Sequence, residues 1–185
     1  MTDQGVIHLA NASYLRNIEK LYLDDNLLRK ESAQALGRSQ YLCKIVYLSM
    51  SHNKIKKDGL AEIANSPNFA KMTHLVVEAN KIKADGAIAL SMSQHMINIV
   101  HLNLKSNKIG NKGLHCLAIG TIRKLKYLNV QHNIVGEDGF RVIAESENFT
   151  KLTELKIFDG NSGSTTEAKN ALKRSQTLQA LRFIS

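Results

Sequence analysis

The sequence has no tryptophan, only five tyrosines and five phenylalanines, two cysteines, and a single proline at position 67. Each scarcity excludes something. With so few aromatic residues, the stacking platforms that single-stranded nucleic-acid binders carry are missing. Two cysteines, Cys43 and Cys116, with no CxxC pair cannot build a disulfide framework or a cysteine zinc site, so a reducing compartment is expected. No apolar run approaches the ~18 residues of a membrane span, and Met1-Thr2-Asp3-Gln4-Gly5 lacks the basic and apolar regions of a signal peptide. Proline- or glycine-rich linkers are also absent, which predicts one domain over residues 1–185. Catalytic signatures are missing as well. GxSxG, a Walker-type GxxxxGK[ST], HExxH and the paired glycine-rich dinucleotide fingerprint do not occur.

What remains is ordinary in amount but not in arrangement. Hydrophobic residues make up 43% and charged residues 22% of the 185 residues, as in a folded domain. Asn26, Asn53, Asn80, Asn107 and Asn133 recur at steps of 27, 27, 27 and 26 residues. Each closes the frame LxxLxLxxN: Ile18, Leu21, Leu23 before Asn26; Ile45, Leu48, Met50 before Asn53; Met72, Leu75, Val77 before Asn80. Ile99, Leu102, Leu104 and Leu125, Leu128, Val130 continue it, followed by Leu152, Leu155, Ile157 with Gly160 where Asn is due. A partial repeat from Leu178 reads Leu178, Leu181, Phe183, and residues 1–17 resemble the second half of a repeat, Gly5-Val6-Ile7-His8-Leu9-Ala10 matching Gly59-Leu60-Ala61-Glu62-Ile63-Ala64. The chain thus divides into a half repeat, repeats starting near 18, 45, 72, 99, 125 and 152, and a partial one.

The two halves of the frame have different periods. LxL alternates as a strand does, while apolar residues 7, 10 and 11 positions after each Asn mark one helical face. Asp58, Asp85 and Asp138 precede these stripes and are expected to cap the helices. Successive strands in one sense need a crossover of about a dozen residues, which the helical segment supplies, so the sheet is predicted to be parallel. One repeat cannot bury its strand and helix stripes alone, so neighbours stack. The ladder Asn, donor and acceptor at once, suits turns whose backbone groups would otherwise be buried unpaired.

LxxLxLxxN joined to a GxxxLA-type helix resembles the leucine-rich repeats of the ribonuclease-inhibitor-like class, over nearly the whole chain. The resemblance implies an α/β fold, a right-handed solenoid or horseshoe with parallel strands on the concave face and helices on the convex face. It also implies a non-enzymatic module that binds proteins, needing no cofactor or metal. Bacterial effector-type members look similar, and the chain would then be the recognition part of a regulator, a ubiquitin-ligase adaptor or an effector delivered into a host cell by a non-classical route. Extracellular members carry cysteine-rich caps that this sequence lacks, which favours a cytoplasmic setting.

In such a fold the residues flanking LxL face outward. Tyr22, Tyr47, His74, His101 and Tyr127 then form a band of amphipathic rings across the concave face, with Glu78, Asn103, Lys105, Asn129, Gln131 and Phe158 beside it. Tyrosine is enriched in interface hot spots, so this band is the expected partner surface; the plainer alternative is that tall polar rings only cover a sheet. Adjacent His74 and His101 suggest a metal, but no third ligand converges on them. Cys116 is expected to be buried.

The net charge of +9 is uneven. Arg29, Lys54, Lys56, Lys81, Lys83 and Lys108 make a basic ridge along the turns leaving the strands, ended by Ile134 and Gly136. An anionic surface or nucleic acid is the alternative partner there, although nothing in the ridge reads bases. The terminal strand around Leu178, Leu181 and Phe183 is expected to be an open edge prone to weak self-association.

Overall fold

A computed structural model describes all residues 1–185. Helix α1 (Asp3–Ala10) comes first, and strands and helices then alternate: β1 (Lys20–Tyr22), α2 (Lys30–Gly37), β2 (Tyr47–Ser49), α3 (Lys56–Ala64), β3 (His74–Val76) and α4 (Lys83–Ser91). The alternation continues through β4 (His101–Asn103), α5 (Gly110–Ile119), β5 (Tyr127–Asn129), α6 (Glu137–Ala144), β6 (Glu154–Lys156), α7 (Thr166–Arg174) and β7 (Phe183–Ile184). The seven strands form one parallel sheet in chain order, so each helix from α2 to α7 is the crossover between neighbouring strands. This is a leucine-rich-repeat solenoid: an open sheet on one side and stacked helices on the other. None of the helices is long and apolar enough to cross a membrane.

Strand register follows the repeat. Leu48, Leu75, Leu102 and Leu128 pair in sequence, and all are fully buried. Behind them lies one core of 45 apolar residues. It includes a position outside the LxxLxL frame, three residues ahead of it, occupied by Leu42, Phe69, Met96, Ile122, Phe149 and Leu178. The step of 26 residues has its cause on the return from α5 to β5. The other helix-to-strand returns use eight or nine residues and this one seven, and here Gly120 lies where an added Cβ would stand 2.4 Å from the Ser91 carbonyl oxygen.

The ladder asparagines bind adjacent turns together. The amide of Asn107 donates to the carbonyls of Val77 (2.8 Å), Leu104 (3.0 Å) and Lys105 (3.0 Å), and its Oδ1 accepts the backbone N–H groups of Asn80 (2.9 Å) and Ile82 (3.3 Å). One buried side chain therefore satisfies groups from two repeats, including one at the start of α4. The expected role of Asp58, Asp85 and Asp138 as helix caps is not observed: they lie inside the first helical turn, and none of the three helices has a side-chain cap. Their charges still suit the helix N-termini. Instead, the N–H groups entering these helices are taken by the following repeat, Asn80 accepting from Ile55 (3.2 Å) and Asn107 from Ile82 (3.3 Å).

Two register expectations are corrected. In the sixth repeat the ladder is unbroken, because Asn161 takes the place assigned to Gly160: its Oδ1 accepts from Asn133 (2.8 Å) and Val135 (3.0 Å), and its amide donates to Val130 (2.9 Å). One extra residue, Phe158, has been inserted before it. In the seventh, Ile184 and not Leu181 pairs with Leu155, and Phe183 pairs with Glu154. Leu178, Leu181 and Ile184 thus repeat the 3,3 spacing of Phe149, Leu152 and Leu155, which puts Phe183 on the open face.

Candidate functional site: the ring-lined sheet face

Strands β1 to β6 each contribute three residues, and the central one faces the core, so the outer two stand on the open face. The first of these forms the row Lys20, Tyr47, His74, His101, Tyr127, Glu154 and Phe183, in direct register from strand to strand. Neighbouring parallel strands are about 4.8 Å apart, close to the spacing at which flat rings stack. The row obeys this. Ring centroids are 5.5 Å apart for Tyr47 and His74, 5.3 Å for His74 and His101, and 4.0 Å for His101 and Tyr127. Tyr22 belongs to the second row, opposite Ser49, yet leans over so that its ring lies 4.9 Å from that of Tyr47. Five rings from five strands form one continuous stack. Lys156 closes it at one end, its ammonium 5.8 Å from the Tyr127 centroid.

Packing side by side removes water from ring edges and changes how they ionise. Burial, reinforced by Lys20, lowers the His74 pKa below the ordinary imidazole value. For His101 burial again comes first, followed by His74 itself; Glu154 opposes and Lys156 adds to the lowering. Both imidazoles therefore hold a proton less readily than a free histidine does. The Tyr47 hydroxyl is pushed up, first by burial and then by Tyr22 and Asp24. His74 Nδ1 lies 2.9 Å from the Thr73 hydroxyl.

Beside the rings, the polar side chains are bonded to one another. Glu78 pairs with Lys105 (3.1 Å) and accepts from Asn103 (3.3 Å), while Asp24 accepts from the Ser49 hydroxyl (2.5 Å) and the Ser51 N–H (2.6 Å). Glu78 and Asp24 are thus each engaged by their neighbours. Nowhere do three or more His, Cys, Asp or Glu side chains gather as a metal site, and the two histidines of the stack meet face to face.

Of the residues expected on this face, Tyr22, Tyr47, His74, Glu78, His101, Asn103, Lys105 and Tyr127 are there and accessible. Asn129 and Gln131 lie on it but are buried, because Asn129 accepts the Gln131 N–H (3.1 Å) and Gln131 donates to Asp159 (2.9 Å). Phe158 has left the face. Its ring stacks on core Phe140 at 5.9 Å, with Lys169 above it, and Asp159 takes over its row. Two residues of the face were not anticipated: Asp159 and Phe183, the latter 67% exposed. The apolar position three residues ahead of LxxL was the signal for Phe183. Cys116 is not buried as expected but partly exposed on α5, and Cys43 is exposed.

Known proteins agree with this architecture. A leucine-rich-repeat family model matches residues 41–64, 70–91 and 95–118. The sequence matches no curated protein. Among solved structures, an internalin from Listeria monocytogenes superposes with a TM-score of 0.57 at 18% identity over 97% of this chain. The chain spans 50% of the internalin's length, and at this identity the likeness is one of fold. Three stretches within residues 41–118 thus match leucine-rich repeats, and the chain as a whole shares the internalin's kind of solenoid fold.

Proposed function

We propose that this chain is a non-enzymatic protein-interaction module, and that its partner lies on the concave sheet face along the ring stack. The observation that carries the reading is the stack itself: five rings from Tyr22 to Tyr127, half in contact with one another and half open, with polar neighbours already paired. Rigid aromatic side chains give large contact area at low entropic cost, and prepaired polar groups need no new partners when water leaves. An alternating strand and helix in every repeat supports the ribonuclease-inhibitor-like class, and the single continuous core supports one domain over residues 1–185. Two free thiols, one of them exposed, suit a cytoplasmic setting. The role of recognition part in a regulator, adaptor or effector rests on identifying the partner.

Purification of partners from the native cell, followed by binding assays with Tyr47→Ala/Tyr127→Ala and with helix-face variants Glu62→Ala and Arg141→Ala, tests the reading. Loss of binding only in the first pair supports it. Loss only in the helix-face variants moves the interface to the helices and refutes it.

Weak self-association is a second reading, favoured by one observation: β7 has a hydrogen-bonded neighbour on one side only, and Phe183 beside its open edge is 67% exposed. Sedimentation at increasing concentration, for the wild type and Phe183→Lys, tests it; a monomer throughout rejects it.

A further inference from the structure

The turns that leave the strands carry a second surface, independent of the rings. Directly after each ladder asparagine comes a solvent-facing residue, and from the first repeat to the fifth these are Leu27, Lys54, Lys81, Lys108 and Ile134. They share one position in the repeat, so they form one row along an edge of the solenoid. On either side of the lysines the row is aliphatic and exposed, Leu27 by 61% and Ile134 by 63%, before Ser162 follows Asn161 in the sixth repeat. Its middle is cationic, backed by Lys56 and Lys83 two residues further on.

Neither property is required by the fold. Lys81, Lys108 and Ile134 have φ of 58°, 59° and 60°, in the left-handed region. A β-branched residue there is a steric outlier, and Ile134 holds this conformation while its side chain faces water. Since the same position takes Leu or Ile in other repeats, the turn does not demand lysine in three consecutive ones. Lys54, Lys81 and Lys108 have no carboxylate within 4.0 Å; of the acidic groups in the helix turns beside them, Glu31, Asp58 and Asp85, the last is held by Lys57 at 3.0 Å.

We propose that this edge docks on an anionic bilayer surface, with Lys54, Lys81 and Lys108 at lipid phosphates and with Leu27 and Ile134 entering the headgroup layer at either end. Clustered lysines are drawn to anionic lipid, and stable attachment takes a second, apolar contribution, which the two aliphatic ends supply. A protein partner explains the row less well, since protein interfaces are depleted in lysine. Nucleic acid would use the lysines but leave both aliphatic side chains idle, and these turns contain no tyrosine or phenylalanine on which a base could stack.

Co-sedimentation of the full chain with phosphatidylserine–phosphatidylcholine vesicles and with pure phosphatidylcholine vesicles tests the proposal. The expected result is binding to the first only, reduced at least about tenfold by Lys54→Glu/Lys81→Glu/Lys108→Glu and several-fold by Leu27→Ser/Ile134→Ser. All five side chains are exposed, so circular dichroism should report an unchanged fold in both variants. No sedimentation with the anionic vesicles, or binding that the lysine reversals leave intact, overturns the proposal. Binding that the aliphatic substitutions leave intact, and that duplex DNA competes away, replaces the membrane with nucleic acid.

Discussion

The rings of His101 and Tyr127 lie parallel to within 1°, with centroids 4.0 Å apart. They sit at paired positions of adjacent strands, so the contact is built by the same backbone register that pairs Leu102 with Leu128 in the core. The ring stack therefore both presents a surface and helps to hold the strands. Tyr127→Ala removes this contact and the one with Lys156. The expected cost is about 1 kcal/mol, the scale of one aromatic contact. Chemical denaturation measures it, and an unchanged midpoint would show that the stack adds nothing to stability.

Acidity should act on the same rings. Because His74 and His101 have lowered pKa values, the folded protein binds fewer protons than the unfolded chain as the pH drops below the ordinary value of 6.5. Their contribution is complete above that pH and is lost as the pH falls from it through the lower folded values. Charging both also sets two cations face to face at 5.3 Å. The melting temperature should decline on acidification through this range, and His74→Gln/His101→Gln should flatten the decline. A slope identical in the double variant would assign it to other groups.

The ladder gives a graded prediction. Asn107→Ala strips partners from buried backbone groups of two repeats. At about 1–3 kcal/mol for each buried group left unpaired, the total should exceed ~3 kcal/mol. Asn26, partly buried, donates only to Leu23 and Asp24 of its own repeat and accepts from the Met1 amino group. Asn26→Ala should cost about a third as much. Equal losses from the two variants would mean that the ladder does not join repeats.

Gly120 and Gly110 form a contrasting pair. An added methyl at Gly120 meets the carbonyl oxygens of Ser91 (2.4 Å) and Cys116 (2.9 Å), whereas at Gly110 nothing lies within 4 Å and only the φ of +61° opposes a side chain. Gly120→Ala should cost about 2–3 kcal/mol through overpacking, and Gly110→Ala about 1 kcal/mol through backbone conformation. Thermal melts of the two variants decide the order.

Five of the seven strands could be read in register from the sequence, since LxL and its asparagine recur together there and one residue of slip would turn every leucine outward. At the sixth the register slipped for the turn only, as Phe158 looks like another row residue until Asn161 is seen to bond Asn133. At the seventh, Leu178, Leu181 and Phe183 fit the frame as well as Leu178, Leu181 and Ile184 do; only pairing against β6 chooses between them. Which residues share the sheet face was likewise legible from spacing. How far each stands clear of its neighbours was not: Asn129 and Gln131 are buried by hydrogen bonds that involve the backbone and an Asp159 that the inserted residue brought into place.

The ladder also bears on how such a chain can lengthen. The fourth repeat hands one asparagine acceptor back to its predecessor and receives one from its successor, while adding the His101 ring to the stack. A 27-residue block copied between Asn80 and Asn107 would find both its bonding partners and its ring neighbours waiting. Tandem duplication can thus enlarge the sheet face by whole units, without redesigning a turn or reopening the core.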